Sequence, residues 1–192
     1  VERIKDLVLH VPLSVQSEMT ACTAVLALSE DLKPQLLDMG ICEVLLPLTD
    51  SPSIEVQGNS AAALGNLSSK ADDYSPFNAV WEKPAGGLHG YLVRFLESDD
   101  TTFQHIAVWT LIQLLESGNR DLEQHIRESP HLLQLVRQLQ SREDGSHTAE
   151  EDVDGTNQDL SPEREIAALS RRIEEILFDD SDGDDEGAGN TK

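Results

Sequence analysis

Apolar positions recur along most of this chain with the 3.6-residue period of a helix, most clearly over 56–67, V-Q-G-N-S-A-A-A-L-G-N-L. Val56, Ser60, Ala63, Leu64 and Leu67 fall at i, i+4, i+7, i+8 and i+11 and make one helical face. Asn59, Ala62 and Asn66 make a second face beside it. The alanines are short enough to let other helices approach closely. A lone helix of about a dozen residues is marginal in water, so this one needs helical neighbours.

The rest of the chain supplies them. Residues 1–10 place Ile4, Leu7 and Val8 on one face, the end of an amphipathic helix stopped by Pro12, and Ser14 is expected to cap the next. Met19, Cys22, Val25 and Leu26 carry helical spacing to about residue 29. Short helices are expected from Pro34 to Gly40 and over 41–48, and Ser51-Pro52-Ser53 then turns the chain into 56–67. Residues 70–87 read as irregular, with two prolines and Gly86-Gly87 marking the start of a helix. Helices follow over 88–97, 103–115, 120–127 and 130–139, with Asp99-Asp100-Thr101 capping the second of them. No stretch alternates with period two, so the packed part is all-α.

The pieces repeat. Placing Leu28, Leu67 and Leu114 in register aligns three long helices at intervals of 39 and 47 residues, the second lengthened by the insertion at 70–87. Each follows a short Leu/Val-rich helix and a turn rich in Ser, Asp and Pro. A unit of one short and two longer helices at this period is the pattern of an armadillo or HEAT solenoid.

Charge and composition narrow the function. The 192 residues carry a formal net charge of -22, which argues against nucleic acid and against direct adsorption to anionic lipid. No run of about 18 apolar residues exists to span a membrane. The two cysteines show no metal or redox spacing, which favours a reducing compartment. Residues 141–192 hold 17 of the 36 acidic residues against 5 of the 14 basic ones. Two domains are therefore expected: repeats over 1–140, with third-helix segments at about 14–29, 54–69 and 101–116, and an acidic, mostly disordered tail over 141–192. The chain begins at Val1 inside what reads as a helix, so a fragment of a longer protein is expected.

Particular segments carry a closer likeness. V-Q-S-E-M-T-A-C-T-A-V-L-A-L-S, I-E-V-Q-G-N-S-A-A-A-L-G-N-L-S-S-K, F-Q-H-I-A-V-W-T-L-I-Q-L-L-E-S and the insertion with Trp81 and G-G-L-H-G-Y-L resemble the C-terminal repeats of the fungal vacuolar armadillo-repeat proteins. The resemblance covers roughly 1–140 and implies a right-handed α-α superhelix, an armadillo-repeat solenoid; it does not extend to the acidic C-terminal tail, whose disorder and one short helix are read from its own residues. In such proteins the third helices line a concave groove, where late asparagines bond the backbone of an extended peptide and a tryptophan one turn earlier packs against it. Carried over by position, the asparagine is Asn66 but Ala27 in the first repeat and Gln113 in the last; the tryptophan position is Thr23, Ala62 and Trp109. A regular asparagine ladder is absent. The candidate partner groove is Asn59, Asn66, His105, Trp109 and Gln113; the opposing reading has Trp109 filling space and Asn66 merely solvated.

Other residues read more plainly. Cys22 falls at the position of Ala61 and Val108 and is expected to be small and buried. Tyr74, Phe77 and Trp81 are expected to tuck over neighbouring helices in preference to meeting a partner. No Ser/His/Asp, Cys/His or metal-ligand arrangement stands out, so the reading has no catalytic residue, no metal and no cofactor. In the tail, Ser161-Pro162-Glu163 starts a helix over about 162–178 whose stripe is Ile166, Leu169, Ile173, Ile176 and Leu177. That stripe can dock back on the solenoid, bind a partner or form only transiently.

The resemblance implies a non-enzymatic scaffold on the cytosolic face of the vacuole membrane, held there by an N-terminal lipid anchor outside this fragment. It implies protein partners (a vacuolar myosin adaptor, a nucleus–vacuole junction membrane protein and an autophagy factor) and no nucleic acid. The processes implied are vacuole inheritance, vacuole fusion, nucleus–vacuole contact and cytoplasm-to-vacuole targeting. The alternative is an importin-α-like nuclear-transport adaptor binding basic peptides, which needs the regular Trp/Asn array that is missing.

Overall fold

Side-chain caps start several of the helices where the sequence changes from turn to apolar period. In the computed structural model, which describes residues 7–141 and 161–178, Ser53 accepts from the Val56 N–H and Asp100 from the N–H groups of Thr102 and Phe103, at 2.8 and 3.4 Å for Asp100. Ser161 accepts from the Arg164 N–H. Each satisfies a backbone donor that the helix itself leaves orphaned. Residues 7–10 are helical. After them come α1 (Leu13–Leu26), α2 (Lys33–Asp38), α3 (Ile41–Leu48), α4 (Ile54–Ser68) and α5 (Ser75–Ala79). Then follow α6 (Gly87–Glu97), α7 (Thr101–Glu116), α8 (Arg120–Arg127), α9 (Pro130–Ser141) and α10 (Pro162–Phe178). No strand occurs among the described residues.

The long helices stack in order: α4 on α1, α7 on α4, and α10 on α7. Behind them α3 backs α4, α6 backs α7 and α9 backs α10, while α3 meets α6 and α6 meets α9. This gives three units, α2–α3–α4, α5–α6–α7 and α8–α9–α10, preceded by α1 in the place of a third helix. The chain is an all-α armadillo solenoid. The face predicted for α4 is the one buried: Val56, Ser60, Ala63, Leu64 and Leu67 are fully covered. The short alanines do what their size allows, since Ala61 and Ala63 are also sealed between neighbouring helices.

α10 packs with its apolar stripe turned inward. Ile166, Ile173 and Leu177 are buried, and Leu169 and Ile176 are half-buried against the core shared with α7 and α9. The helix is thus the third helix of the last unit. Residues 142–160 and 179–192, read from the sequence as disordered acidic tail, lie outside the described residues, as do residues 1–6 of the expected first helix.

Three local expectations are corrected. Residues 70–87 are not wholly irregular, because α5 forms there and takes the first-helix place of its unit. Ser14 does not cap α1, whose N-cap is Pro12 with no side-chain hydrogen bond. Cys22 is exposed, not buried, because among the described residues no third helix packs on that side of α1 as α1 does on α4. The aromatic cluster does pack inward. Phe77 is fully buried, and Trp81 is buried with its ring stacked on His125 at 5.3 Å and 11°. The Tyr74 hydroxyl donates to the Ser68 carbonyl at 2.8 Å and so closes the C-terminal end of α4. Lys33, buried at the start of α2, donates to the Ser69 carbonyl beside it, and burial lowers its pKa.

The two thiols should behave differently. Burial pushes the Cys42 thiol up to about 12, so almost no thiolate exists at neutral pH. A maleimide at pH 7 should label Cys22 once and spare Cys42 until denaturant is added, as intact-mass spectrometry would show. Two adducts on the native protein would mean that the α3 face opens.

Candidate functional site

Adjacent third helices bring the candidate residues to one edge. Asn59 and Asn66 lie on α4, His105, Trp109 and Gln113 on α7, and all five are half-buried. Both asparagines turn their amides toward α1. Asn66 Nδ2 donates to the Ala24 carbonyl at 2.9 Å, and Asn59 Nδ2 to the Ser17 carbonyl at 3.4 Å. The Ala24 carbonyl needs this bond. Its helical partner would be the N–H of Leu28, which turns to Val25 as α1 ends. Asn66 is therefore a cross-repeat brace through its Nδ2, and its amide oxygen is an acceptor.

Trp109 sits on Gly65. A Cβ added at Gly65 would come within 2.7 Å of the indole Cζ3 and 2.9 Å of Thr110 Oγ1. The indole thus rests on the α4 backbone, which only glycine permits. Thr110 is itself fixed, donating to the Ile106 carbonyl at 2.7 Å and meeting the buried Tyr91 hydroxyl at 3.2 Å. Trp109 is therefore held from beneath while one side faces outward. Gly65 escaped the sequence reading, though a glycine inside a helix costs about 1 kcal/mol against alanine and so signals close approach.

Two side-chain contacts cross the α7–α10 seam. His105 Nε2 lies 3.2 Å from Glu165 Oε1, and Arg172 Nε lies 3.8 Å from Glu116 Oε1. His105 thus faces α10. Trp109 meets α4 at Gly65, next to Asn66, and Gln113 follows it one turn along α7, so these residues supply an indole face and two primary amides. Such groups bond any extended backbone without reading its sequence. The stripe of α10 lies on the inner side, packed on α7 and α9. Among the described residues no cluster of metal-ligating side chains occurs, and no helix is long and apolar enough to cross a membrane.

Known proteins match this architecture. The family described as Armadillo/beta-catenin-like repeat matches residues 29–69, the span of α2, α3 and α4. Vacuolar protein 8 of Aspergillus oryzae is 56% identical over 177 residues, 92% of this chain and 29% of its own length. Vacuolar protein 8 of Schizosaccharomyces pombe is 52% identical over 182 residues, 95% of this chain and 31% of its own. That of Saccharomyces cerevisiae is 45% identical over 139 residues, covering 72% and 24%. The chain spans less than a third of the length of these relatives. With a repeat match on one of its units and such identity along most of its length, the chain belongs to the armadillo-repeat proteins of the fungal vacuole.

Proposed function

We propose that the chain is part of a vacuolar adaptor that captures protein partners on the open edge of its third helices, without catalysis. The supporting observation is Trp109, braced on Gly65, beside the amides of Asn66 and Gln113. An aromatic anchor flanked by polar groups is the usual composition of an interface hot spot. On this reading the whole protein works on the cytosolic face of the vacuole membrane, anchored by an N-terminal lipid. Its partners are of the vacuolar myosin adaptor, junction membrane protein and autophagy factor kinds. The processes it would serve are vacuole inheritance, vacuole fusion, nucleus–vacuole contact and cytoplasm-to-vacuole targeting.

The test is capture by the full-length protein carrying Trp109→Ala with Gln113→Ala. Neither side chain makes a cross-repeat hydrogen bond, so the helical circular dichroism should be retained at low temperature even though removing the indole from Gly65 lowers stability. Binding of at least one of the three partner kinds should fall about tenfold or more, which is 1.4 kcal/mol. Undiminished capture of all three would sink the groove reading. A nuclear, cargo-loaded pool would instead favour the transport-adaptor alternative.

A further inference from the structure

Two of the chain's six histidines flank Trp81, and a third stands within electrostatic reach of one of them. Trp81 is buried in the loop between α5 and α6. His125, on α8, stacks on the indole, and His89, on α6, meets it at 5.7 Å with a tilt of 44°. His89 is tied to the same residue by its backbone, since its N–H donates to the Trp81 carbonyl at 2.9 Å. The neighbouring Leu88 N–H donates to the Val80 carbonyl at 2.9 Å. Ring and main chain of His89 together hold residues 80–87 closed on α6. Through Trp81 and His125 the same contact joins the α5–α6–α7 unit to the α8–α9–α10 unit.

A charge on His89 is unwelcome in this arrangement. The imidazole is half-buried, and burial keeps its pKa below the ordinary value, with Glu82 of the loop pulling upward and His131 of α9 adding to the fall. His131 in turn lies 3.2 Å from Glu97 of α6. His125 of α8 faces the indole, and Lys83 of the loop is exposed. A free imidazole takes its proton near pH ~6.5. With the loop closed, His89 takes it only at lower pH, so protons favour the open loop. The contribution of His89 to closure is complete above about pH 6.5 and is lost as the pH falls through the lowered value of the closed loop.

We propose that His89 and Trp81 form an acid-released latch: a proton on His89 parts the two rings, frees residues 80–87 from α6 and draws Trp81 away from His125. At neutral pH the latch is shut, and acid loosens the join between the last two units at this point. Neither residue belongs to the α4–α7 edge, so the latch stands or falls independently of partner capture there.

The test is amide exchange on the full chain by NMR, with each rate divided into that of an unfolded chain at the same pH. Between about pH 7.5 and 5.5 the protection of the Leu88 and His89 amides should fall about fivefold relative to that of buried α4 amides. His89→Gln, which cannot take the proton, should abolish that relative fall at Leu88. Glu82→Gln removes the opposing carboxylate at an exposed position and should deepen it. A constant ratio in the unmodified chain would overturn the proposal, as would the same fall in folded His89→Gln. Should His89→Gln fail to fold, Glu82→Gln decides, and a fall no deeper than in the unmodified chain counts against the latch.

Discussion

Gly87→Ala should destabilise the repeats by about 3 kcal/mol or more, read as a lower urea midpoint. Gly87 has φ +65, and an added Cβ would lie 2.4 Å from the Val80 carbonyl oxygen and 2.5 Å from the Trp81 oxygen and the Glu82 carbonyl carbon. All three are backbone atoms that no rotamer change can move. The left-handed conformation alone costs an L-residue about 1–2 kcal/mol, and overpacking adds about 1–3. Relief would require the loop to retreat, and that breaks the bonds from the Leu88 and His89 N–H groups to the Val80 and Trp81 carbonyls, both 2.9 Å. Those bonds satisfy the start of α6 and seat Trp81 against His125. Gly118 supplies the control: its φ is +67, but an added Cβ meets nothing within 4 Å. Gly118→Ala should cost only the conformational part, about 1 kcal/mol. Equal midpoints for the two variants would show that crowding at Gly87 is not what requires glycine.

Gly65→Val should cost about 3 kcal/mol and empty the candidate groove without touching its outward surface. Valine gains a little helix propensity over glycine, on the order of 0.4 kcal/mol. Against that, its Cβ alone would stand 2.7 Å from the Trp109 ring and 2.9 Å from Thr110 Oγ1, and its two methyl groups add further volume. Thr110 cannot yield cheaply, because it bonds both the Ile106 carbonyl and Tyr91. Trp109 must therefore lift from α4, or α7 must move away. Intrinsic fluorescence should report a changed Trp109 environment, and partner capture should fall as it does for Trp109→Ala. A spectrum and capture like those of the unmodified protein would mean the two helices have slack that the geometry denies.

Helices were readable in this chain because burial follows a single period. The α4 face named from spacing alone is sealed, and Pro34, Gly40, Asp100 and Ser161 mark helix ends that chemistry dictates locally. What local chemistry could not supply were facts about neighbours. Cys22 shares a register position with Ala61 and Val108 but is exposed, since burial belongs to the packed pair and not to the residue. α5 is too short for a period to reveal. The apolar stripe of α10 follows from its spacing, yet its place as a third helix depends on the face that α7 and α9 leave open, which no spacing within residues 162–178 encodes. At the candidate site, Asn66 was legible as an amide at the right position. Its bond to the Ala24 carbonyl was not, because that carbonyl is orphaned only by the way α1 ends. Trp109 was singled out, but its seat on Gly65 is a contact across 44 positions of chain.

The central claim is that partners meet the edge formed by α4 and α7. A photo-crosslinking side chain placed at Gln113 of the full-length protein, and separately at exposed Gln134 on α9, tests it on isolated vacuole membranes. Adducts with a partner protein from position 113 and none from position 134 are the predicted result. Adducts from position 134 with none from 113 would contradict the account and move partner capture to the opposite side of the solenoid.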